Sequence, residues 1–343
     1  MRPHIEQEYG AGRAYSMTSR TFIALCGLLA VTLAVAAFAW RERGAIAVWL
    51  APEKVATEET SEQAKRANER FWLALHGGRY DELPDVIEAL TAAYLQNPRD
   101  PATTAHIAFA HAWFAAERAR LEKVPATITE HFLIARRYFA EAVRLSPKDE
   151  RFKGFLASME LAEGGIHGDE KLLRRGYFNL LAAVDGWPEF NLFTAGYVLS
   201  RLPHTDPRYA EGVEYQWRNI DVCIGEKIDR RAPDGAKYMA LETTTGPKRA
   251  CWNSWIAPHN FEGFLLNMGD MLVKQGDPAT ARRIYVNARL SKTYHQWPFK
   301  AVLEERITQA DDNVALFRDP KPGEKIRTIM IASAFACTGC HQQ

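Results

Sequence analysis

Hydrophobic and polar positions divide the chain into two unlike parts. Thr21 to Ala39 carries no charge, and Trp40, Arg41 and Arg43 follow it. About 20 apolar residues span a bilayer core as a helix. A helix that is apolar on every face leaves no side for water. From about Ser61 to Phe317 apolar residues recur instead at helical spacing, interrupted by short breaks. The spacing predicts amphipathic helices near 61–76, 81–96, 100–121, 126–145, 149–163, 169–184, 189–201, 206–223, 259–275, 278–290 and 298–317. The breaks are helix punctuation: His76-Gly77-Gly78, Asn97 to Pro101, Ser146 to Asp149, Gly164-Gly165 and Gly276-Asp277-Pro278. Several place Asp or Ser before a helix start with Pro or Glu just inside, as caps require. No series of alternating strands and no Asn-Gly hairpin interrupts the pattern, so the fold class expected is all-α.

Weak internal repeats refine this. Ala135, Phe139, Ala142 and Pro147 put two small residues and one aromatic on one helix face and then stop the helix. Gly269, Gly276, Ala281, Tyr285 and Ala288 form a second copy, with Thr293 where a proline would close it. Val86, Leu90, Ala93 and Pro98 form a weaker third. Small residues let a paired helix approach closely, and the aromatic fills the gap. These copies resemble tetratricopeptide (TPR) repeats. The resemblance implies a TPR-like α-solenoid with lengthened helices; an irregular helical bundle is the alternative.

The composition narrows the class. A formal net charge of +1 gives no basic excess for a nucleic-acid partner, and 47% hydrophobic with 25% charged residues excludes a disordered chain. Five cysteines in 343 residues are too few for a disulfide-stapled scaffold. Cys26 falls in the apolar run. Cys223 precedes the stretch Gly225–Pro258, where the helical pattern fails, and Cys251 lies near its end. In an oxidising compartment a disulfide closing that loop would stabilise by about 3–4 kcal/mol; two unrelated buried thiols are the other reading. Trp252, Trp255, Phe261 and Phe264 are expected to pack under the loop, or to line a cofactor. His106 and His111 read as core or surface histidines.

The chemistry lies in Cys337-Thr338-Gly339-Cys340-His341. Cys-x-x-Cys-His is the c-type haem attachment pattern. Two thiols three residues apart on a helical turn can add to the two vinyl groups of one haem, and the adjacent histidine becomes the proximal iron ligand. In these residues alone the chain resembles c-type cytochromes. The resemblance implies one covalent haem c on Cys337 and Cys340 with His341 on the iron. A downstream methionine, the usual second ligand, is missing, so that ligand is expected from upstream: Met330, His259, Met268, Met271 or His295. The iron could also stay five-coordinate, or take its ligand from another chain. The tail from about Ile326, after the linker Asp319–Gly323, is too short to bury a haem alone, so the macrocycle is expected against the helices or a partner. Two other uses of the motif stay open, half of a zinc site and a redox dithiol. No hydrolase, metalloprotease or dinucleotide-binding pattern is present.

Covalent haem attachment takes place outside the bacterial cytoplasm. The motif therefore orients a span that the near-tie of Arg2, Arg13 and Arg20 against Arg41, Arg43 and Lys54 does not. The expected arrangement is a cytoplasmic tail 1–20, a signal anchor 21–40, a linker 41–60, a helical-repeat domain 61–318 and a haem tail 319–343. The bulk would be periplasmic, held by a single pass in a bacterial inner membrane. Ala37-Phe38-Ala39 leaves cleavage of the anchor open. The function expected is electron transfer or docking to a membrane redox complex, with protein partners on the repeat surface and no nucleic acid. The alternative is a non-enzymatic periplasmic scaffold whose tail binds zinc or acts as a dithiol.

Overall fold

A computed structural model describes residues 19–57, 59–319, 328–333, 335 and 337–343. Residues 1–18 of the expected cytoplasmic tail, and residues 320–327, 334 and 336 of the expected linker and haem tail, lie outside the described residues. Among those described, no residue is in a strand.

The chain forms two units, 1–53 and 54–343. In the first, α1 (Ser19–Arg41) holds the apolar run and α2 (Arg43–Trp49) follows it. Phe22–Arg41 is long and apolar enough to cross a membrane, and none of its side chains is buried by protein. Twenty residues at 1.5 Å per residue match a hydrocarbon core of about 30 Å. At its end the Arg43 guanidinium stacks 4.5 Å over the Trp40 ring. The expected linker 41–60 is thus helical in its first part. Gly44-Ala45-Ile46-Ala47-Val48 contains no proline or capping side chain to stop the turn, and α2 buries none of its residues.

The second unit is built from α3 (Glu62–His76), α4 (Leu83–Gln96), α5 (Pro101–Ala116), α6 (Glu130–Leu145), α7 (Glu150–His167), α8 (Glu170–Gly186), α9 (Pro188–Leu199) and α10 (Pro207–Ile224). It continues through α11 (Gly235–Met239), α12 (Asn260–Gln275), α13 (Pro278–Asn287), α14 (Lys300–Thr308), α15 (Asn313–Arg318) and α16 (Cys337–His341). Local chemistry sets the starts. Asp100, Asp149, Asp169, Asp206, Asp234 and Asp277 each accept a backbone N–H at the first turn of the helix they precede. Proline occupies the first turn of α4, α5, α9, α10 and α13, where its missing N–H costs nothing. The single helix expected at 298–317 is two, broken at 309–312. The expected irregular loop 225–258 carries α11 and a 3-10 turn at Pro247–Cys251.

Each of α3 to α10 packs chiefly on its neighbours in chain order, and α13 packs chiefly on α12, which also carries α15 and α16. The repeat-like residues make these contacts. Ala135, Phe139 and Ala142 are fully buried on one face of α6. Gly269 faces Tyr285 so closely that a Cβ there would lie 2.1 Å from the ring. Gly276 ends α12 at φ +108°, a left-handed cap that favours glycine. Ala281, Tyr285 and Ala288 are fully buried. Cys223 and Cys251 form a disulfide that ties the end of α10 to the far end of the irregular loop, Cα–Cα 6.0 Å.

One buried polar knot sits where the chain returns toward its end. Asp270 on α12 accepts from the Tyr285 hydroxyl at 2.6 Å and from the Met330 N–H at 2.9 Å, and pairs with Arg306 at 3.2 Å. Met330, Ile331 and Ala332 all take positive φ, between 55° and 58°. This left-handed turn delivers the tail to α12.

Candidate functional site

The Cys-x-x-Cys-His residues form one turn of helix, α16, laid against α12. Gly263 makes this possible. A Cβ at that position would sit 2.6 Å from Cys340 Sγ and 2.6 Å from the Gly339 carbonyl carbon. Backbone bonds then lock the turn. The His259 N–H donates to Cys340 O at 3.0 Å, and Trp297 Nε1 donates to Gly339 O at 2.8 Å. On the other side the buried Glu117, just after α5, accepts from the hydroxyls of Ser333 and Thr338. The N–H of Gln343 donates to His76 O at 2.9 Å. Phe335 meets Phe132 of α6, ring centroids 6.0 Å apart. The tail therefore joins residues from both ends of the helical unit.

This surrounding sets the chemistry of the three motif residues. Cys340 is buried, and desolvation with the charge of Glu262 pushes its thiol up to about 12. Burial and Glu117 raise Cys337 as well. Both sulfurs stay thiols at neutral pH, which disfavours a thiolate nucleophile. His341 is pushed down to about 4, chiefly by burial, with His76 adding to the shift and the Ile256 carbonyl opposing it. It is neutral, the state an imidazole needs to ligate a metal.

His341 Nδ1 lies 2.8 Å from Ile256 O. A carbonyl can only accept, so Nδ1 carries the proton and the Nε2 lone pair is free. That is the arrangement found behind metal-bound histidines. The donor set thus fits a covalently held haem: two neutral thiols one helical turn apart and one histidine with its tautomer already set. Among the described residues no three His, Cys, Asp or Glu side chains are grouped so as to hold a metal ion together.

The upstream ligand candidates have other employment. Met268 and Met271 are fully buried in the core between α10 and α13, where their periodicity on α12 puts them. Met330 is buried with Sδ 3.5 Å from the Ser200 hydroxyl. His259 is buried and its Nδ1 faces Glu262 at 3.2 Å. Its backbone N–H meets the tail at Cys340 O. His295 lies in a 3-10 turn with its ring beside Gln296. Of the four aromatics, Trp252, Phe261 and Phe264 are buried packing, whereas Trp255 is 68% exposed. Trp255 meets Trp72 of α3 at a tilt and His76 edge-on, with centroids 5.2 and 5.7 Å apart.

Two residues at this site were not singled out from the sequence. Glu117 is an ordinary acidic residue after a helix, and only folding buries it against the tail. His76 stands at a helix end next to two glycines, where a histidine reads as a favourable C-terminal charge. Nothing local in either case announces the contact.

No protein-family model matches the chain, no curated protein is similar to it, and no solved structure matches its fold.

Proposed function

We propose that this is a membrane-anchored, mono-haem c-type cytochrome-like protein that transfers electrons or docks to a membrane redox complex. The observation that carries the reading is the His341 ring held through Nδ1 by Ile256 O, with Cys337 and Cys340 on the same helical turn. A bound haem would supply a one-electron iron couple. The chain's own residues hold it: Cys337 and Cys340 by thioether bonds, His341 through Nε2. Ile256 orients the ring, and α12 with Glu117 keeps the attachment turn from moving. Chain-neighbour packing of the helices supports a TPR-like solenoid offering its surface to protein partners. The apolar α1 supports a single-pass anchor, and the Cys223–Cys251 disulfide suits a periplasmic location for the rest.

The test is a pyridine haemochrome spectrum of protein made with a cytochrome c maturation system. Covalent haem on the wild type, absent from Cys337→Ala and Cys340→Ala, is the expected result. A wild type without covalent haem refutes the proposal.

A second reading is favoured by the way the tail bonds to α3, the end of α5 and α12. In it the chain is a periplasmic scaffold and the tail a structural clip, binding zinc or acting as a dithiol. Zinc retained on purification, with no visible absorbance, is its signature.

A further inference from the structure

We propose that His111 of α5 and His131 of α6 form a two-coordinate site for copper(I), a soft monovalent ion. The site shares no residue with the terminal motif. The two Nδ1 atoms face each other at 2.9 Å. The ring centroids are 4.9 Å apart, which exceeds the nitrogen separation by nearly two imidazole radii. Both nitrogens therefore lie close to the line joining the rings. A linear N–metal–N unit uses that same axis, with the ion in place of the shared proton. Two bonds of about 2.0 Å need about 4 Å between the nitrogens, so the rings must part by about 1 Å. His131 has room to move: it is half-buried in the first turn of α6, next to the exposed Glu130. His111 is buried and is the fixed member. Ala108, Ala112 and Ala115 of α5 pack against Phe132, Ala135 and Phe139 of α6 and hold the two helices together.

The donor set selects the ion. Among the described residues each ring hydrogen-bonds only to the other, and no third His, Cys, Asp or Glu side chain is grouped with them. Zinc takes four ligands and copper(II) a square-planar or tetragonal set, whereas two imidazoles in line satisfy copper(I). Both rings are neutral, as metal binding requires. Burial holds His111 down to about 4, with His131 adding to the shift, and burial lowers His131 against the pull of Glu130. A second proton would set N–H against N–H at hydrogen-bond distance. An ion held by both lone pairs meets no such repulsion and spreads its charge over two rings. The Phe114 ring, 4.7 Å from His131, gives an apolar wall that suits a weakly hydrated ion. On binding, the proton of the donating ring passes from Nδ1 to Nε2. No proton leaves the site and no electron moves.

The test uses the full chain in detergent carrying Cys26→Ser, Cys337→Ser and Cys340→Ser, so that no free thiol competes for the ion. Copper(I), kept reduced by ascorbate without oxygen, is titrated against bicinchoninate, and X-ray absorption at the copper edge reports its coordination. One ion per chain withheld from bicinchoninate is expected, with the sharp edge feature of linear two-coordinate copper(I). His131→Gln keeps a hydrogen-bond partner for His111 Nδ1 but offers no soft donor. Its expected result is loss of the ion with an unchanged circular dichroism spectrum. His131→Met is expected to recover the ion, with sulfur beside nitrogen in the copper spectrum. Three results would each overturn the assignment: no ion withheld, an ion that survives both His111→Gln and His131→Gln, or a three- or four-coordinate edge. None of them bears on the haem reading.

Discussion

Docking of α16 on α12 rests on one missing methyl group, which makes Gly263→Ala a sharp test. The new Cβ would lie 2.6 Å from Cys340 Sγ, 2.6 Å from Gly339 C and 2.7 Å from Cys340 N, where ordinary contacts run from 3.4 to 4 Å. Two of the three atoms are backbone, so no rotamer change relieves the clash. Either α16 shifts by most of an ångström or it leaves. Overpacking of this kind costs about 1–3 kcal/mol. Taken as about 2 kcal/mol on the docked state alone, it raises the fraction of undocked tail about 30-fold. Cys340 is buried, so its alkylation must wait for undocking. The assay is the rate of iodoacetamide labelling at Cys340, resolved by mass spectrometry, on the full chain made without haem and held in detergent. An increase of about 30-fold is expected for Gly263→Ala.

Two controls bracket the result. Gly339→Ala adds a methyl on the tail itself, but its neighbours, Gly263 Cα at 3.5 Å and Leu266 Cδ2 at 3.8 Å, are at ordinary contact. Its labelling rate should stay near wild type. Gly269→Ala puts a methyl 2.1 Å from the fully buried Tyr285 ring. It should lower global stability while leaving the Cys340 rate, measured under native conditions, far less changed than Gly263→Ala does. An unchanged Cys340 rate in Gly263→Ala would refute the packing of tail on helix described here.

Other outcomes follow from the same contacts. Cys223→Ser with Cys251→Ser opens a loop of 28 residues and should cost about 3.5 kcal/mol in urea unfolding; the wild type treated with a reductant should show the same loss. Asp270→Ala removes the carboxylate that pairs with Arg306 and receives Tyr285 and Met330, with an expected loss of about 3–5 kcal/mol by the same assay. Burial pushes His106 and His111 down to about 4, from an ordinary value near 6.5. The unfolded chain therefore binds protons that the folded chain refuses, and stability should fall as pH drops from about 6.5 toward 4. His106→Gln should flatten that fall, and an identical slope would contradict the assigned burial.

Much of the fold can be read locally. Helix starts are short-range chemistry, an aspartate accepting from the next few N–H groups or a proline in the first turn, so Asp100-Pro101, Asp206-Pro207 and Asp277-Pro278 mark their helices without knowledge of the rest. The break inside 298–317 and the helix at 43–49 were not legible, because neither carries a strong stop or start signal. Half of the site was legible too. Cys337, Cys340 and His341 announce themselves because their spacing is the chemistry. Their partners do not, since Glu117 and Ile256 act through a buried carboxylate and a backbone carbonyl, and every sequence contains many of both.

The amino-acid order by itself determined an all-helical chain with one membrane-length apolar helix and the Cys337-x-x-Cys340-His341 spacing. Those properties depend on residues within a few turns of one another. Only the tertiary structure decided that the tail lies on α12, that Met268 and Met271 are core, and that His76 meets His341 at a shared carbonyl. Such contacts join residues far apart in the chain, 77 positions for Gly263 and Cys340 and 265 for His76 and His341. They are set by which helix faces can approach, here at Gly263, and not by any preference of the residues themselves.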